Sequence, residues 1–179
     1  MTVQRQERNG SRSGTVFRPG IAFIGLLASL ECVSLGGQAC LPSKAWAATT
    51  ERVVVNRFTG LAIEGFDPVA YFVDASPVLG LPRFEASEDG VVWRFRNEGN
   101  RASFVAHPDI YGPRFGGYDP IDLARGVTVA GNPRFWAISG QRLYLFGREE
   151  SRDTFVSDPS RFLADANMRW PALQETLAR

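Results

Sequence analysis

An α+β fold is predicted by three observations. Short strand-like runs are joined at Asp-Gly or Ser-Gly pairs, a helical stretch follows each pair of runs, and this order of signals occurs twice at a spacing of 51 residues. The chain has 179 residues, 44% hydrophobic and 22% charged, which suits a single folded domain and argues against disorder. Twenty basic and nineteen acidic residues leave a formal charge of +1, so the electrostatic footprint of a nucleic-acid binder is missing. One histidine and two cysteines are too few to build a Cys/His zinc cluster.

The chain opens on a polar stretch carrying Arg5, Arg8, Arg12 and Arg18, followed by the apolar run IAFIGLLASL over residues 21–30. A basic segment before a short apolar one has the shape of a secretory signal, and it is shorter than the roughly 20 residues that span a bilayer. Ala45-Trp46-Ala47 satisfies the A-x-A pattern. Residues 1–47 are therefore expected to be an export segment cleaved after Ala47, giving a periplasmic or secreted protein; lipidation at Cys40 and retention as an anchor are the other readings. Residues 48–179 hold 15 arginines, no lysine, 17 acids and no cysteine. No disulfide can form there, and stability must come from an aromatic-rich core. Residues 48–57 read as a flexible lead and 58–179 as the domain.

Within that domain Gly80-Leu81-Pro82-Arg83-Phe84 returns as Gly131-Asn132-Pro133-Arg134-Phe135, and 12 of the 34 positions from Val78 to Tyr111 are identical 51 residues later. Gly65-Phe66-Asp67-Pro68-Val69 returns one residue out of phase as Gly117-Tyr118-Asp119-Pro120-Ile121. The reading is a duplicated unit, over about 65–111 and 117–162, packed as one pseudo-symmetric domain because neither half buries a core alone. Asp67-Pro68 and Asp119-Pro120 each start a short helix, the carboxylate capping and proline taking the first position. The runs Arg83–Ala86 with Val91–Phe95, and Arg134–Ile138 with Leu143–Phe146, form hairpins turning at Asp89-Gly90 and Ser139-Gly140. Helices follow from Asn97 and Glu149, burying Phe104 with Val105 and Phe155 with Val156, and stop before His107-Pro108 and Asp158-Pro159. A last helix is expected over Ser160–Met168, with Phe162, Leu163 and Ala166 inward and Pro171 opening a frayed final turn.

Gly-Phe-Asp-Pro-Val-Ala-Tyr-Phe at 65–72, Trp93-Arg94-Phe95, the run from Phe104 to Tyr118 and Trp170-Pro171 together resemble the YHS-domain family, in the form of its exported bacterial members, over roughly residues 58–172. The resemblance implies a small metal-binding fold with cysteine ligands. This chain lacks all of them: the expected thiolate positions read Ala70, Arg96, Asn100 and Asp119, and in the second copy Asp122, Gly147 and Ser151. Soft-metal binding therefore carries over to no residue, since thiolate is what selects copper or zinc. No cofactor is expected.

The remaining candidates each have a plain alternative. His107 is the only imidazole, yet a capping role at a helix end explains it. Asp119 offers an oxygen ligand for a hard cation, but its match to Asp67 favours N-capping; Asp67, Asp119, His107 and Asp158 are read as structural caps. A metal-handling protein using Asp119 and His107 is the alternative function, and an accessory subunit of an enzyme a further one. No Gly-x-Ser-x-Gly elbow, phosphate loop or calcium loop is present, so no catalytic residue is assigned. Arg83, Arg134 and Arg114 either line a pocket for an anion or pair with Glu85, Glu98 and Glu149. The stretch Arg114-Phe115-Gly116-Gly117-Tyr118-Asp119 is the candidate ligand site, its glycines admitting close approach beside exposed aromatic rings; a tight turn joining the copies is the other reading. The expected function is a non-catalytic binding module for a small molecule or a protein partner, with neither nucleic acid nor stable membrane insertion.

Overall fold

The computed structural model describes residues 51–177. Helices and small antiparallel sheets give an α+β fold. Strand β1 (Leu81–Glu88) pairs with β2 (Val91–Phe95), and β3 (Asn132–Ser139) with β4 (Arg142–Phe146), as two separate two-stranded sheets. Both registers slip near the start of the first strand, between Leu81 and Glu85 and between Asn132 and Trp136. Positive φ at both turn positions, 53° and 77° at Asp89-Gly90 and 57° and 58° at Gly140-Gln141, gives the tight turn whose twist matches the strands. The second turn thus lies one residue beyond the expected Ser139-Gly140, because Gly140 takes the first left-handed position and Gln141 is carried into the second.

Two apolar clusters fill the interior, and β4 belongs to both. Leu143 and Leu145 lie in one cluster with Trp93, Phe95, Phe104 and Tyr71; Tyr144 and Phe146 lie in the other with Tyr118, Phe155 and Phe115. Alternate side chains of a strand point to opposite faces, so a strand buried on both faces reads as the unbroken run Leu-Tyr-Leu-Phe. Val53 and Val54 repeat this arrangement, one in each cluster, and the backbone between them is bonded on both sides: Val54 N–H donates to Gly116 O at 2.8 Å and Ile63 N–H donates to Val54 O at 3.0 Å. The expectation of a flexible lead is corrected for residues 51–57. Burying two valines and pairing their backbone fixes this stretch as part of the core.

Before each hairpin the chain makes a 3-10 turn, Ile63–Gly65 or Arg114–Gly117, then the one-turn helix α1 (Ala70–Val73) or α4 (Pro120–Leu123). After each hairpin come α2 (Glu98–Ala106) and α5 (Glu149–Ser157), and beyond the next proline α3 (Pro108–Tyr111) and α6 (Pro159–Thr176). Asn97 caps α2 by accepting Asn100 N–H at 2.8 Å, whereas Arg148 at the same place before α5 supplies no side-chain cap. Phe104 and Phe155 are buried as expected, but Val105 and Val156 are 54% and 58% exposed. Neighbours on a helix lie about 100° apart, so on these short helices the second residue of each pair turns outward. The last helix outruns its expected end at Met168 and passes through Pro171; Trp170, Leu173 and Leu177 pack on the second cluster beyond that point. Burial of this face offsets the roughly 3 kcal/mol that an internal proline costs.

Gly116 sits at φ 62°, and a Cβ there would overlap the Arg52 carbonyl oxygen. Gly116→Ala is expected to lower stability in urea titrations by about 2–4 kcal/mol, through both strain and overlap. Gly90→Ala, at φ 77° in open space, should cost only about 1 kcal/mol.

Candidate functional site

Two fully buried carboxylates organise the interior, Asp67 and Asp119. Each precedes a proline, which has no N–H, so the carboxylate reaches the next amide. Asp67 Oδ1 accepts Val69 N–H and Asp119 Oδ1 accepts Ile121 N–H, both at 2.9 Å. Their second oxygens reach the junction between hairpin and helix. Asp67 Oδ2 accepts Arg96 N–H at 2.9 Å and the Asn100 amide at 2.7 Å; Asp119 Oδ2 accepts Gly147 N–H at 2.9 Å. Ser151 stands where Asn100 stands in the first half; its buried hydroxyl favours the ionised Asp119 but completes no full hydrogen bond. Burial pushes the Asp119 carboxyl above its ordinary value, outweighing the Gly147 and Ile121 amides and Ser151 that pull it down, and Asp122 adds to the rise. Asp122 in turn accepts from Arg148 at 3.1 and 3.3 Å, an ion pair that sequence reasoning missed because 26 residues separate its partners.

Four of the positions that the resemblance would give to cysteine lie beside these two carboxylates. Arg96 and Asn100 meet at Asp67, and Gly147 and Ser151 at Asp119. Both Asp119 oxygens already accept amide protons. Among the described residues no group of three or more His, Cys, Asp or Glu is arranged to hold a metal ion. His107 ends α2 through its backbone N–H, bonded to Ser103 and Phe104 carbonyls at 3.1 Å, while its exposed imidazole makes no cap bond. His107 is thus the C-cap of α2, as expected, but through its backbone N–H; at φ −142° and ψ 61°, ahead of Pro108, it ends the helix. Asp158 caps α6, accepting the Ser160 hydroxyl at 2.8 Å and Arg161 N–H at 3.2 Å, and these bonds hold its carboxyl below the usual range.

The stretch from Arg114 to Asp119 divides. Gly117, Tyr118 and Asp119 face the interior; Tyr118 is fully buried and its hydroxyl donates to Glu51 O. Phe115 is only 4% exposed, so the expected exposed rings are absent: both stack inward, Phe115 edge-on to Trp170 at 5.7 Å and Tyr118 tilted to it at 6.1 Å. The close backbone approach at Gly116 is taken by the chain's own Arg52 carbonyl. Arg114, Phe115 and Gly116 do line a cleft of about 890 Å³. Its apolar walls come from Trp93, Phe104, Phe115 and Trp170, and Glu51, Arg52, Glu88, Asp89 and Asp109 bring charge to it. The Arg114 guanidinium lies 5.6 Å from the Phe115 ring centre. Arg83 and Arg134 do not join this cleft, nor do they pair as expected: Glu85, Glu98 and Glu149 are bonded to Arg94, Arg101 and Arg152, and the Arg83 guanidinium covers Phe84 at 5.0 Å. Two cleft groups escaped the sequence reading altogether, Glu51 and Arg52. Their buried Oε2 and Nε atoms have no hydrogen-bond partner.

No family model matches the chain, and neither does any curated protein or solved structure. No described helix is long and apolar enough to cross a membrane.

Asp119→Asn keeps one acceptor but turns an NH2 group toward a backbone N–H, and should cost about 1–3 kcal/mol with metal content unchanged by elemental analysis. Because the folded chain holds the Asp119 proton more tightly than the unfolded chain, the stability tied to that proton is complete below the unfolded pKa of about 3.9 and is lost as pH rises through the raised value. Denaturant titrations across that window should show the wild type losing stability relative to Asp119→Asn as pH rises.

Proposed function

We propose that the chain is an exported, non-catalytic binding module of YHS-like build, made of two copies of one unit, whose cleft takes a small ligand. The carrying observation is the cleft: buried rings from three elements of the fold back it, the half-buried Trp170 faces it from a fourth, and a few polar groups converge on it, the make-up of a ligand site. Its walls are fixed before any ligand arrives. Trp93 and Phe104 stack at 4.9 Å within the first cluster, and Phe115 is held between Trp170 and Tyr144 in the second. A pre-formed wall spares the ligand the entropy of ordering it.

Duplication is supported by the recurrence of bonds as well as residues. Asp67 N–H donates to Val78 O at 2.8 Å and Asp119 N–H to Val129 O at 2.9 Å; Gly80 N–H donates to Gly65 O and Gly131 N–H to Gly117 O, both at 2.9 Å. Four of the family's cysteine positions, Arg96, Asn100, Gly147 and Ser151, adjoin Asp67 and Asp119, and this supports the YHS reading. The absence of a nucleophile–base pair from the sequence motifs is what favours binding over catalysis. Export rests on the basic and apolar segments before Ala47, which lie outside the described residues.

A fragment library of small aromatic and aliphatic acids, amines and amides, titrated into the full chain, is expected to shift the indole N–H resonances of Trp93 and Trp170 and leave that of Trp136 in place. Trp170→Leu, which keeps an apolar residue on α6, should weaken the best fragment about tenfold, the loss of one aromatic contact in a buried site. Fragments that bind only elsewhere, or bind Trp170→Leu as tightly as wild type, would contradict a ligand site in the cleft.

A further inference from the structure

The two unpartnered atoms in the cleft are of opposite kinds. Glu51 Oε2 is a carboxylate acceptor and Arg52 Nε a guanidinium donor, each screened from solvent. A buried polar atom with no partner costs about 1–3 kcal/mol, more when it belongs to a charged group. Among the described residues Glu51 and Arg52 make no ion pair, so the two charges do not satisfy one another. Neighbouring acids do not reach Arg52 either: Asp109 is met by Arg142. The backbone that carries both side chains is fixed, since Tyr118 donates to Glu51 O and Arg52 O closes on Gly116.

An anion alone would satisfy Arg52 and leave Glu51 buried without a donor. A cation alone would do the reverse. We propose that the cleft takes a small zwitterion, a single molecule carrying an ammonium for Glu51 and a carboxylate for Arg52 on an apolar body that lies against the half-buried Trp170; this rests on the cleft being a ligand site. Charge-assisted bonds to both ends make the pair of charges, and not the apolar body, the basis of selection.

Isothermal titration calorimetry on the full chain with L-phenylalanine, 3-phenylpropionate and phenethylamine tests this, since the three share a ring and differ in charge. Phenylalanine is expected to bind at least about tenfold more tightly than either analogue, the effect of one charged hydrogen bond. In Glu51→Gln the advantage over 3-phenylpropionate should shrink to within about threefold, and in Arg52→Gln the advantage over phenethylamine should do the same. If either analogue binds wild type as tightly as phenylalanine, the zwitterion proposal is overturned while the cleft stands as a ligand site. If none of the three binds, the proposal is equally overturned, and the fragment titration on Trp93 and Trp170 decides the cleft separately.

Discussion

The rest of this structure depends on a carboxylate placed where water cannot reach it. Asp67 and Asp119 are fully buried, and burial of a charged group is unfavourable unless hydrogen bonds surround it. Each side chain answers that demand, Asp119 only in part, with amides from two stretches of chain almost thirty residues apart, so the start of a one-turn helix and the end of a hairpin become a single bonded unit. A helix of four residues has no stability of its own. Here the carboxylate supplies what length does not, and the apolar residues that flank it, Phe66 with Tyr71 and Tyr118 with Ile121, enter the two clusters.

Those clusters are joined by chain that faces both. β4 puts leucines on one side and aromatic rings on the other, and Val53-Val54 does the same on a smaller scale. Tyr71 in the first half donates to Pro133 O in the second at 2.8 Å, and its ring packs edge-on to Trp136 at 5.3 Å. Loss of β4 would strip both clusters at once, so this strand ties the two into one compact unit. The cleft is a by-product of this construction: the lead crosses Gly116 at backbone contact distance and brings Glu51 and Arg52 to the wall formed by Phe115 and Trp170.

Much of the local structure was legible because its signals are local. Asp89-Gly90 reads as a turn, Asp119-Pro120 as a cap and first position, and Leu143 to Phe146 as a strand without any knowledge of tertiary contacts. What failed depends on tertiary packing. Glu51 to Asn56 holds three consecutive valines, a strand-like run whose place in the core is decided only by tertiary packing, where Gly116 leaves room for the backbone. The run of α6 through Pro171 is decided by the cluster beneath it, not by helix propensity. The Arg114 to Asp119 stretch was singled out for its glycines and rings, and the glycines do permit close approach, but the approaching group is the chain itself. Glu51 and Arg52 were invisible as site residues because burial of one atom of a charged side chain leaves no trace in a sequence.

Native-state hydrogen exchange at the Arg96 and Gly147 amides tests the central claim most directly. If the buried carboxylates bind hairpin to helix, these two amides open only when the whole domain unfolds, and their exchange free energies match those of the slowest amides in β2 and β4. Exchange at Arg96 and Gly147 through local opening, about tenfold or more faster than in those strands, would mean that the carboxylates decorate a fold held together by its apolar clusters alone.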